Sequence, residues 1–268
     1  MRSGTTVIHR ALCTATNSNP YISESWFLFD LMNLYKWNLS RYEVRHADQF
    51  GHVRNFAELI KFNFQYYLTL VSTKYNDPDV LILKHPELTR HFIEIGMMFP
   101  SISFLAIVRD PRDVIASMKD VAAKHKADGI SSPQSRVNSI EGYCKQYLSY
   151  YERILQPPEW LDARLTFTRY EDVMKNPQSL AEQATSLVGA SYEPQEVGRF
   201  TEEHANSANF DKEKRLKDSL SGAFWSDLYT KDFSTEQIGR YATTLDQGEI
   251  TSIERLLAPI GKRFGYWS

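Results

Sequence analysis

The sequence predicts an α/β fold in which a central parallel sheet is flanked by helices. Three short segments rich in strand-forming residues, 79–83, 104–108 and 164–168, alternate with segments in which apolar residues recur at helical spacing. The first two segments contain continuous apolar runs, which are typical of parallel strands buried on both faces. We therefore expect strands that are joined by right-handed crossover connections.

Four amphipathic helices are predicted around these strands. The first lies between the first two strands, the second precedes the third strand and stops at Pro157 and Pro158, and the other two follow the third strand. Their apolar faces are formed, in order, by Leu88, Phe92 and Ile95; by Ile140, Tyr143, Cys144, Tyr147 and Ile154; by Leu180, Ala184, Leu187 and Val188; and by Ile250, Ile253, Leu256 and Leu257.

Capping residues mark several helix ends. Asn176 and Pro177 suit the cap and the first position of the third helix, and Gly189 suits its C-terminal end. Ser234 followed three residues later by Gln237 is a capping-box pattern, which predicts a helix start near the C-terminus.

Length and composition indicate one soluble domain spanning residues 1–268. Of the 268 residues 42% are hydrophobic and 24% charged, and the formal net charge of −2 gives no general reason to expect nucleic acid or an anionic membrane as partner. No apolar stretch is long enough to span a membrane. Cys13 and Cys144 fit neither a disulfide framework nor a zinc site, so we expect both to be buried in a cytoplasmic protein.

The N-terminal segment has the composition of a phosphate-binding turn. Arg2, Ser3, Gly4, Thr5 and Thr6 directly precede a helical pattern of apolar residues. A hydroxyl-rich turn with a glycine at a helix N-terminus directs several backbone N–H groups at one point, which suits a phosphate. It is not a Walker A loop, because the second Gly and the Lys of that motif are not in place. A helix cap without a ligand is the alternative interpretation.

A second candidate anion site follows the strand 104–108. Asp110 can cap a helix that Pro111 begins, which leaves Arg109 at the carboxyl end of the strand, where open α/β sheets bind ligands. Ser117 lies about two turns into that helix, within reach of the same phosphate group. In the alternative interpretation Arg109 pairs with Asp113 and Ser117 is merely exposed.

Three motifs in series resemble the family of sulfotransferases that use 3′-phosphoadenosine 5′-phosphosulfate (PAPS). They are Arg-Ser-Gly-Thr-Thr at 2–6, the segment 109–117, and Arg-Tyr-Glu-Asp-Val at 169–173 before Asn176 and Pro177. The resemblance implies a three-layer fold related to P-loop kinases, with a central parallel sheet. It also implies an enzyme that transfers the sulfuryl group of PAPS to a hydroxyl or amine acceptor by in-line displacement, without a metal.

The same resemblance implies roles for the donor-binding residues. Arg2 would contact the sulfuryl and bridging oxygens, and the loop amides with Thr5 and Thr6 would hold the 5′-phosphate. Arg109 and Ser117 would hold the 3′-phosphate. Three further candidates are Tyr170, which resembles the aromatic beside the adenine but also suits a core, and Arg215 and Lys217, from a basic run that resembles the loop closing over the 3′-phosphate.

The acceptor must lose a proton as it attacks, so a general base is expected. Glu24 lies where the Arg-containing branch that sulfates tyrosine carries a catalytic carboxylate. His85 lies at a strand end where small-molecule sulfotransferases carry a Lys and a His, but there one residue separates them, whereas Lys84 and His85 are adjacent. We favour Glu24 as the base, and expect Lys84 at the sheet edge to contact a sulfuryl oxygen.

The sequence is compatible with more than one chain length, activity and acceptor. Family members place an apolar strand ending in Gly-x-Pro before the loop, so the natural chain is either longer or a shortened member of doubtful activity. A P-loop-related kinase using ATP and a non-catalytic binding protein are the alternatives. The acceptor, whether lipid, sugar, phenol, peptide tyrosine or amine, is not determined, although Trp26, Phe27, Tyr66 and Tyr67 are candidates to line its site.

Overall fold

Two parallel strands form the sheet in the computed structural model of the chain, which describes residues 3–131, 135–193 and 233–268. β1 (Phe104–Val108) pairs with β2 (Leu165–Arg169) so that Phe104 lies opposite Leu165 and Val108 opposite Arg169. Helices flank this pair in the described residues, so the prediction of an α/β fold with a parallel sheet and flanking helices is confirmed.

Helices account for most of the described chain on either side of β1. Before β1 they are α1 (Thr5–Leu12), α2 (Trp26–Leu39), α3 (Tyr42–Arg45), α4 (Ala47–Phe50), α5 (Val53–Lys74), a 3₁₀ helix (Pro86–His91) and α6 (Phe92–Met98). After β1 they are α7 (Pro111–Ala127), α8 (Ile140–Tyr151), α9 (Glu159–Asp162), α10 (Tyr170–Lys175), α11 (Gln178–Val188), α12 (Tyr241–Thr244), α13 (Gln247–Leu256) and α14 (Ala258–Arg263).

The prediction of a strand at 79–83 was wrong. Val80 makes a single parallel bridge with Ser18. Two residues later, at Ile82, the side chain of Asn19 makes the hydrogen bonds that the backbone of a neighbouring strand would make. Its amide nitrogen donates to the carbonyl of Ile82 (3.1 Å), and its oxygen accepts from the N–H of Ile82 (2.5 Å). Because a side chain satisfies these backbone groups, the ladder of a regular strand does not continue.

Most predicted helices are confirmed, with shifted ends. The helix between the first two segments is present as the 3₁₀ helix followed by α6, and α8 ends at Tyr151, before the turn that leads to Pro157 and Pro158. Gly189 closes α11 in the left-handed conformation at φ 69°, which is accessible to glycine at little cost.

The prediction of a capping box at Ser234 was wrong. The Ser234 hydroxyl accepts from the N–H of Glu236 (3.2 Å) within a turn, and no helix starts there among the described residues. The capping box lies instead at the start of α13, where Asp246 and Glu249 exchange side-chain and backbone bonds. Both segments fit the sequence pattern, but the packing of α13 through the fully buried Ile253 favours the second.

The main core lies between the sheet, α7 and α8. Cys13 and Cys144 are buried free thiols, as predicted, and burial raises the pKa of both, that of Cys144 to about 12. Fully or almost fully buried side chains of the core include Val108, Val114, Ile115, Tyr147, Tyr151, Ile154 and Leu161. This core fixes the carboxyl end of β1, where Arg109 follows.

Candidate active site

The turn that opens α1 is built around Gly4. Gly4 adopts the left-handed conformation (φ 75°) at the N-cap of α1, and a Cβ atom at this position would overlap the ring of Tyr170. Only glycine satisfies both conditions without strain. The first-turn N–H groups of α1, which begins with Thr5 and Thr6, have no acceptor within their own helix. The turn is therefore suited to an anion.

Buried tyrosines tie this turn to β1. Ser3 is fully buried, and its hydroxyl lies 3.4 Å from the hydroxyl of Tyr151. The single proton of Tyr151 goes to the carbonyl of Ile107 (2.7 Å), so the Ser3 hydroxyl is the donor to Tyr151. Tyr147, one helical turn earlier on α8, donates to the carbonyl of Arg109 (3.0 Å). α8 thus holds the turn and the end of β1 together.

Lys84 connects the segment of Glu24 to the first turn of α1. Its Nζ lies 2.8 Å from Oε1 of Glu24 and donates to the hydroxyl of Thr6 (3.1 Å). The Lys84 side chain is 9% exposed and that of Glu24 28%, so the pair is largely shielded from water. The backbone strengthens the contact, because the N–H of Ser25 donates to the carbonyl of Lys84 (2.9 Å).

Glu24 is held in its charged form. Burial is the largest single influence and would raise the pKa of this carboxyl, but the charge and hydrogen bond of Lys84 outweigh it. The net result is a pKa below the ordinary glutamate value. Glu24 is therefore a carboxylate at neutral pH, which is the form that a general base requires.

His85 lies in an aromatic environment with one nitrogen already engaged. Its ring stacks on Phe29 at 4.5 Å and meets the edge of Trp26 at 4.5 Å. Nδ1 accepts from the N–H of Glu87 (3.3 Å), and burial lowers the pKa of His85 although Glu24 and Glu87 oppose this. A neutral imidazole with an acceptor at Nδ1 carries its proton on Nε2. Nε2 is buried and has no hydrogen-bond partner among the described residues.

Arg109 follows β1 as predicted and is almost fully buried. Its guanidinium lies 4.6 Å from the ring centre of Tyr170, which also packs on Gly4. Nη2 donates to the carbonyl of Gln237 (2.5 Å) and lies 3.7 Å from Asp113. The Arg109–Asp113 pair considered from the sequence is thus present. Tyr170 joins the turn before α1 to the arginine after β1.

The segment 169–173 is tied to the cap of α7. Glu171 accepts from the N–H of Asp110 (2.9 Å) and from the hydroxyl of Tyr266 (2.9 Å). Asp110 in turn caps α7 by accepting from the N–H of Arg112 (2.9 Å), as the sequence predicted. The ends of β1 and β2 and the C-terminal residues therefore form one connected framework behind Arg109.

Comparison with known proteins identifies the family. The sequence model of the sulfotransferase family matches residues 1–194, well over half of the chain. The chain belongs to the sulfotransferase family.

Two similar proteins agree with this assignment. Carbohydrate sulfotransferase 3 from Tetronarce californica is 25% identical over 173 residues, which cover 62% of this chain and 36% of the relative. The match thus spans about a third of that longer protein. The solved sulfotransferase domain from the curacin biosynthetic pathway superimposes with a TM-score of 0.59 over 96% of this chain and 94% of that chain, at 17% identity. This likeness shows that the two chains share a fold.

The structure of this sulfotransferase brings together most of the predicted site residues that it describes. Glu24, Lys84 and Thr6 are in contact, and Gly4, Tyr170 and Arg109 are stacked in that order. Ser117 lies half-buried on α7. Three predicted residues, Arg2, Arg215 and Lys217, lie outside the described residues.

One residue of the site was missed from the sequence. His9 on α1 is buried, its Nε2 donates to the carbonyl of Ile82 (3.2 Å), and burial followed by the charge of Lys84 lowers its pKa to about 3. It therefore supports the segment before Lys84 as a neutral group. In the sequence it is only a polar residue in an amphipathic helix, which gives no signal of this contact.

Metal clusters and membrane-spanning helices are both absent from the described part of the chain. There, no group of three or more His, Cys, Asp or Glu side chains is arranged to hold a metal ion. No helix of the described ranges is both long enough and apolar enough to cross a bilayer.

Proposed function

We propose that this sulfotransferase transfers a sulfuryl group from PAPS to a hydroxyl or amine acceptor, with Glu24 as the general base. The observation that carries the proposal is the contact of Lys84 with both Glu24 and Thr6. It brings a charged carboxylate and a cation to the first turn of α1, where the donor's 5′-phosphate would bind. In-line transfer needs these groups close to one point.

The turn before α1 and the end of β1 are proposed to hold the two phosphates of the donor. The first-turn amides of α1 with Thr5 and Thr6 would receive the 5′-phosphate, and Arg2 would contact the sulfuryl group. Arg109 and Ser117 would receive the 3′-phosphate. Arg109 already donates to a neutral carbonyl, that of Gln237. A phosphate oxygen in that place would make a stronger, charge-assisted bond.

Lys84 has two uses in this scheme. While it contacts Glu24 it keeps the carboxylate charged, as the lowered pKa of Glu24 indicates. Its ammonium group is also a suitable partner for the charge that develops on the sulfuryl oxygens during transfer, because a fixed cation in a shielded site acts without solvent reorganisation. Glu24 takes the proton of the attacking hydroxyl in the same step.

His85 is a poorer candidate for the base. A base needs a free lone pair facing the acceptor, whereas the lone pair of Nδ1 is used by the N–H of Glu87 and Nε2 carries the proton. The same geometry makes the Nε2 N–H a hydrogen-bond donor. We propose that His85 donates to a substrate oxygen.

We propose that the acceptor presents a hydroxyl group. The relative named above is a carbohydrate sulfotransferase, which favours a hydroxyl acceptor, and the exposed ring of Trp26 beside His85 offers a surface for an apolar or planar group. A reducing, cytoplasmic location suits the two buried thiols.

Two measurements test the proposal. Calorimetric titration should show much tighter binding of 3′-phosphoadenosine 5′-phosphate than of adenosine monophosphate or ATP. Mass spectrometry of an acceptor panel incubated with PAPS should reveal a product heavier by one sulfuryl group. Equal affinity for the nucleotides with and without the 3′-phosphate contradicts the donor assignment, and phosphorylated products formed from ATP would identify a kinase instead.

A further inference from the structure

The paired helices α2 and α5 expose an unusual amount of apolar surface. Most of the large apolar side chains that are exposed in the described residues lie between positions 26 and 70. We call the following set the aromatic face: Trp26 (57% exposed), Phe27 (48%), Leu34 (49%) and Trp37 (50%) on α2, and Leu59 (45%), Phe62 (67%), Tyr66 (56%) and Leu70 (53%) on α5. Contiguous apolar surface of this kind on a folded chain marks an interaction site.

The aromatic face is continuous across the two helices. On α5 the four residues recur at intervals of three or four, so they form one row along the helix. On α2 the residues at 27, 34 and 37 lie on one side in the same way. Phe27 stacks at 5.1 Å on Tyr67, the chain neighbour of Tyr66, which places the start of the α2 row beside the α5 row. The rows run from Trp26 to Trp37 and from Leu59 to Leu70, so the face is roughly 16 Å long.

Basic residues border the aromatic face. The guanidinium groups of Arg41 and Arg45 lie 4.6 Å and 5.0 Å from the ring centre of Trp37. Residues 26–75 contain six of the 31 Lys and Arg residues but only four of the 33 Asp and Glu residues, two of which, Asp30 and Glu58, lie on the same helices. The segment is therefore net positive within a chain whose net charge is −2.

We propose that the aromatic face docks on the surface of a lipid membrane that carries anionic headgroups. Exposed tryptophan, tyrosine and phenylalanine rings bordered by arginine and lysine are typical of protein surfaces that bind at the membrane interface. The rings enter the headgroup boundary, and the cations contact lipid phosphates. The face covers about three turns on each of two helices, which is more surface than one small acceptor covers. The positive border attracts an anionic surface.

The docking surface reaches the candidate active site. Trp26 belongs to the aromatic face, and its ring also contacts His85 at 4.5 Å, next to the segment of Glu24. An acceptor hydroxyl held at the lipid–water boundary would thus lie near the proposed base. This consequence rests on the proposed function, whereas the membrane contact does not depend on it.

The test is sedimentation of the full chain with phosphatidylcholine vesicles, prepared with and without phosphatidylserine, in the absence of any nucleotide. The wild-type chain should sediment with the mixed vesicles and bind the neutral ones more weakly, and its tryptophan emission should shift to the blue. Trp37→Ser and Phe62→Ser should each weaken binding about tenfold, because a buried apolar side chain is lost. Arg41→Ala and Arg45→Ala should each weaken it about fivefold.

Trp160→Ser is the matched control. Trp160 is 42% exposed and also lies under an arginine, Arg164, but it belongs to α9, which packs on β2 rather than on α2 or α5. This variant should bind vesicles like the wild type. Thermal melting checks that every variant is folded. A variant that melts early is replaced by Trp37→Tyr or Phe62→Tyr. These tyrosine variants should weaken binding less than the serine variants do.

Three outcomes overturn the inference. One is a wild-type chain that stays in the supernatant with both kinds of vesicle. Another is a dimer in light scattering that Trp37→Ser abolishes, which assigns the face to a second copy of the chain. The third is saturable binding of single detergent molecules without vesicle binding, which assigns it to an apolar acceptor chain. Because no donor is present, failure of the proposed sulfuryl transfer would leave these results unchanged.

Discussion

The ammonium group of Lys84 lies 2.8 Å from a carboxylate oxygen of Glu24. The two residues are sixty positions apart, and the contact converts two separate candidates into one unit in which the cation keeps the carboxylate charged. It also makes the roles of Glu24, Lys84 and His85 separable by experiment, because each predicts a different change in rate or in pH dependence.

Glu24→Gln should lower kcat by about 10²–10⁴ while donor affinity stays near that of the wild type, because general base catalysis contributes about that much and the amide keeps the shape of the side chain. Steady-state kinetics and titration with 3′-phosphoadenosine 5′-phosphate measure the two quantities. Glu87→Gln is the matched control, since the Glu87 carboxylate pairs with Arg90 and should not matter for the rate. A Glu24→Gln variant with wild-type kcat would remove Glu24 from the role of base.

Lys84→Met should move the acidic limb of the kcat/KM profile to higher pH. A base acts when it is deprotonated, so the rate rises as pH passes its pKa, and Lys84 keeps the pKa of Glu24 below its ordinary value. Without the cation, burial raises that pKa and the rise occurs later. Lys84→Arg keeps the charge and should leave the limb in place. If both variants share the wild-type limb, Glu24 is not the group that titrates.

His85→Gln should leave the position of the acidic limb unchanged. Burial lowers the pKa of His85, and its Nδ1 is engaged by a backbone N–H, so the ring is neutral at neutral pH and acts as a donor. The amide nitrogen of Gln can also donate, so the loss of kcat should be smaller than for His85→Phe, which cannot. A limb that disappears in both His85 variants would instead make His85 the base.

Arg109→Ala should weaken binding of 3′-phosphoadenosine 5′-phosphate by about ten- to a hundredfold, because a charge-assisted bond to phosphate contributes roughly 1.5–3 kcal/mol. Binding of adenosine 5′-phosphosulfate, which lacks the 3′-phosphate, should change little. Calorimetry on both nucleotides measures the difference. Equal losses for the two would mean that Arg109 supports the fold around Tyr170 rather than the 3′-phosphate.

Gly4→Ala should lower both the melting temperature and donor affinity. The left-handed backbone costs an alanine about 1–2 kcal/mol, and its Cβ would in addition overlap the ring of Tyr170. Gly189→Ala is a matched control, because Gly189 has a similar φ of 69° but nothing within 4 Å of its Cβ position. The Gly4 variant should therefore lose more stability than the Gly189 variant, and similar melting temperatures would show that the Tyr170 contact is unimportant.

Local signals in the sequence were enough to predict several parts of the protein. The turn at Gly4 and the cap at Asp110 depend on backbone conformation and on side-chain bonds to nearby residues, so each can be recognised from a few neighbouring positions. β1 was predicted because a short apolar run favours a buried strand, and β2 because its segment is rich in strand-forming residues. The serial order of the motifs was enough to indicate the family.

The tertiary structure alone decided how these parts meet. The segment 79–83 has the composition of a strand, but the side chain of Asn19 bonds both backbone groups of Ile82 and so ends the ladder. That segment still carries Lys84 to Glu24, a contact between residues far apart in the chain. The sequence by itself determined which residues are candidates for the chemistry, because residue type and local backbone preference are properties of short segments. Which of them touch depends on long-range packing, such as the ring of Tyr170 between Gly4 and Arg109, and no short segment encodes it.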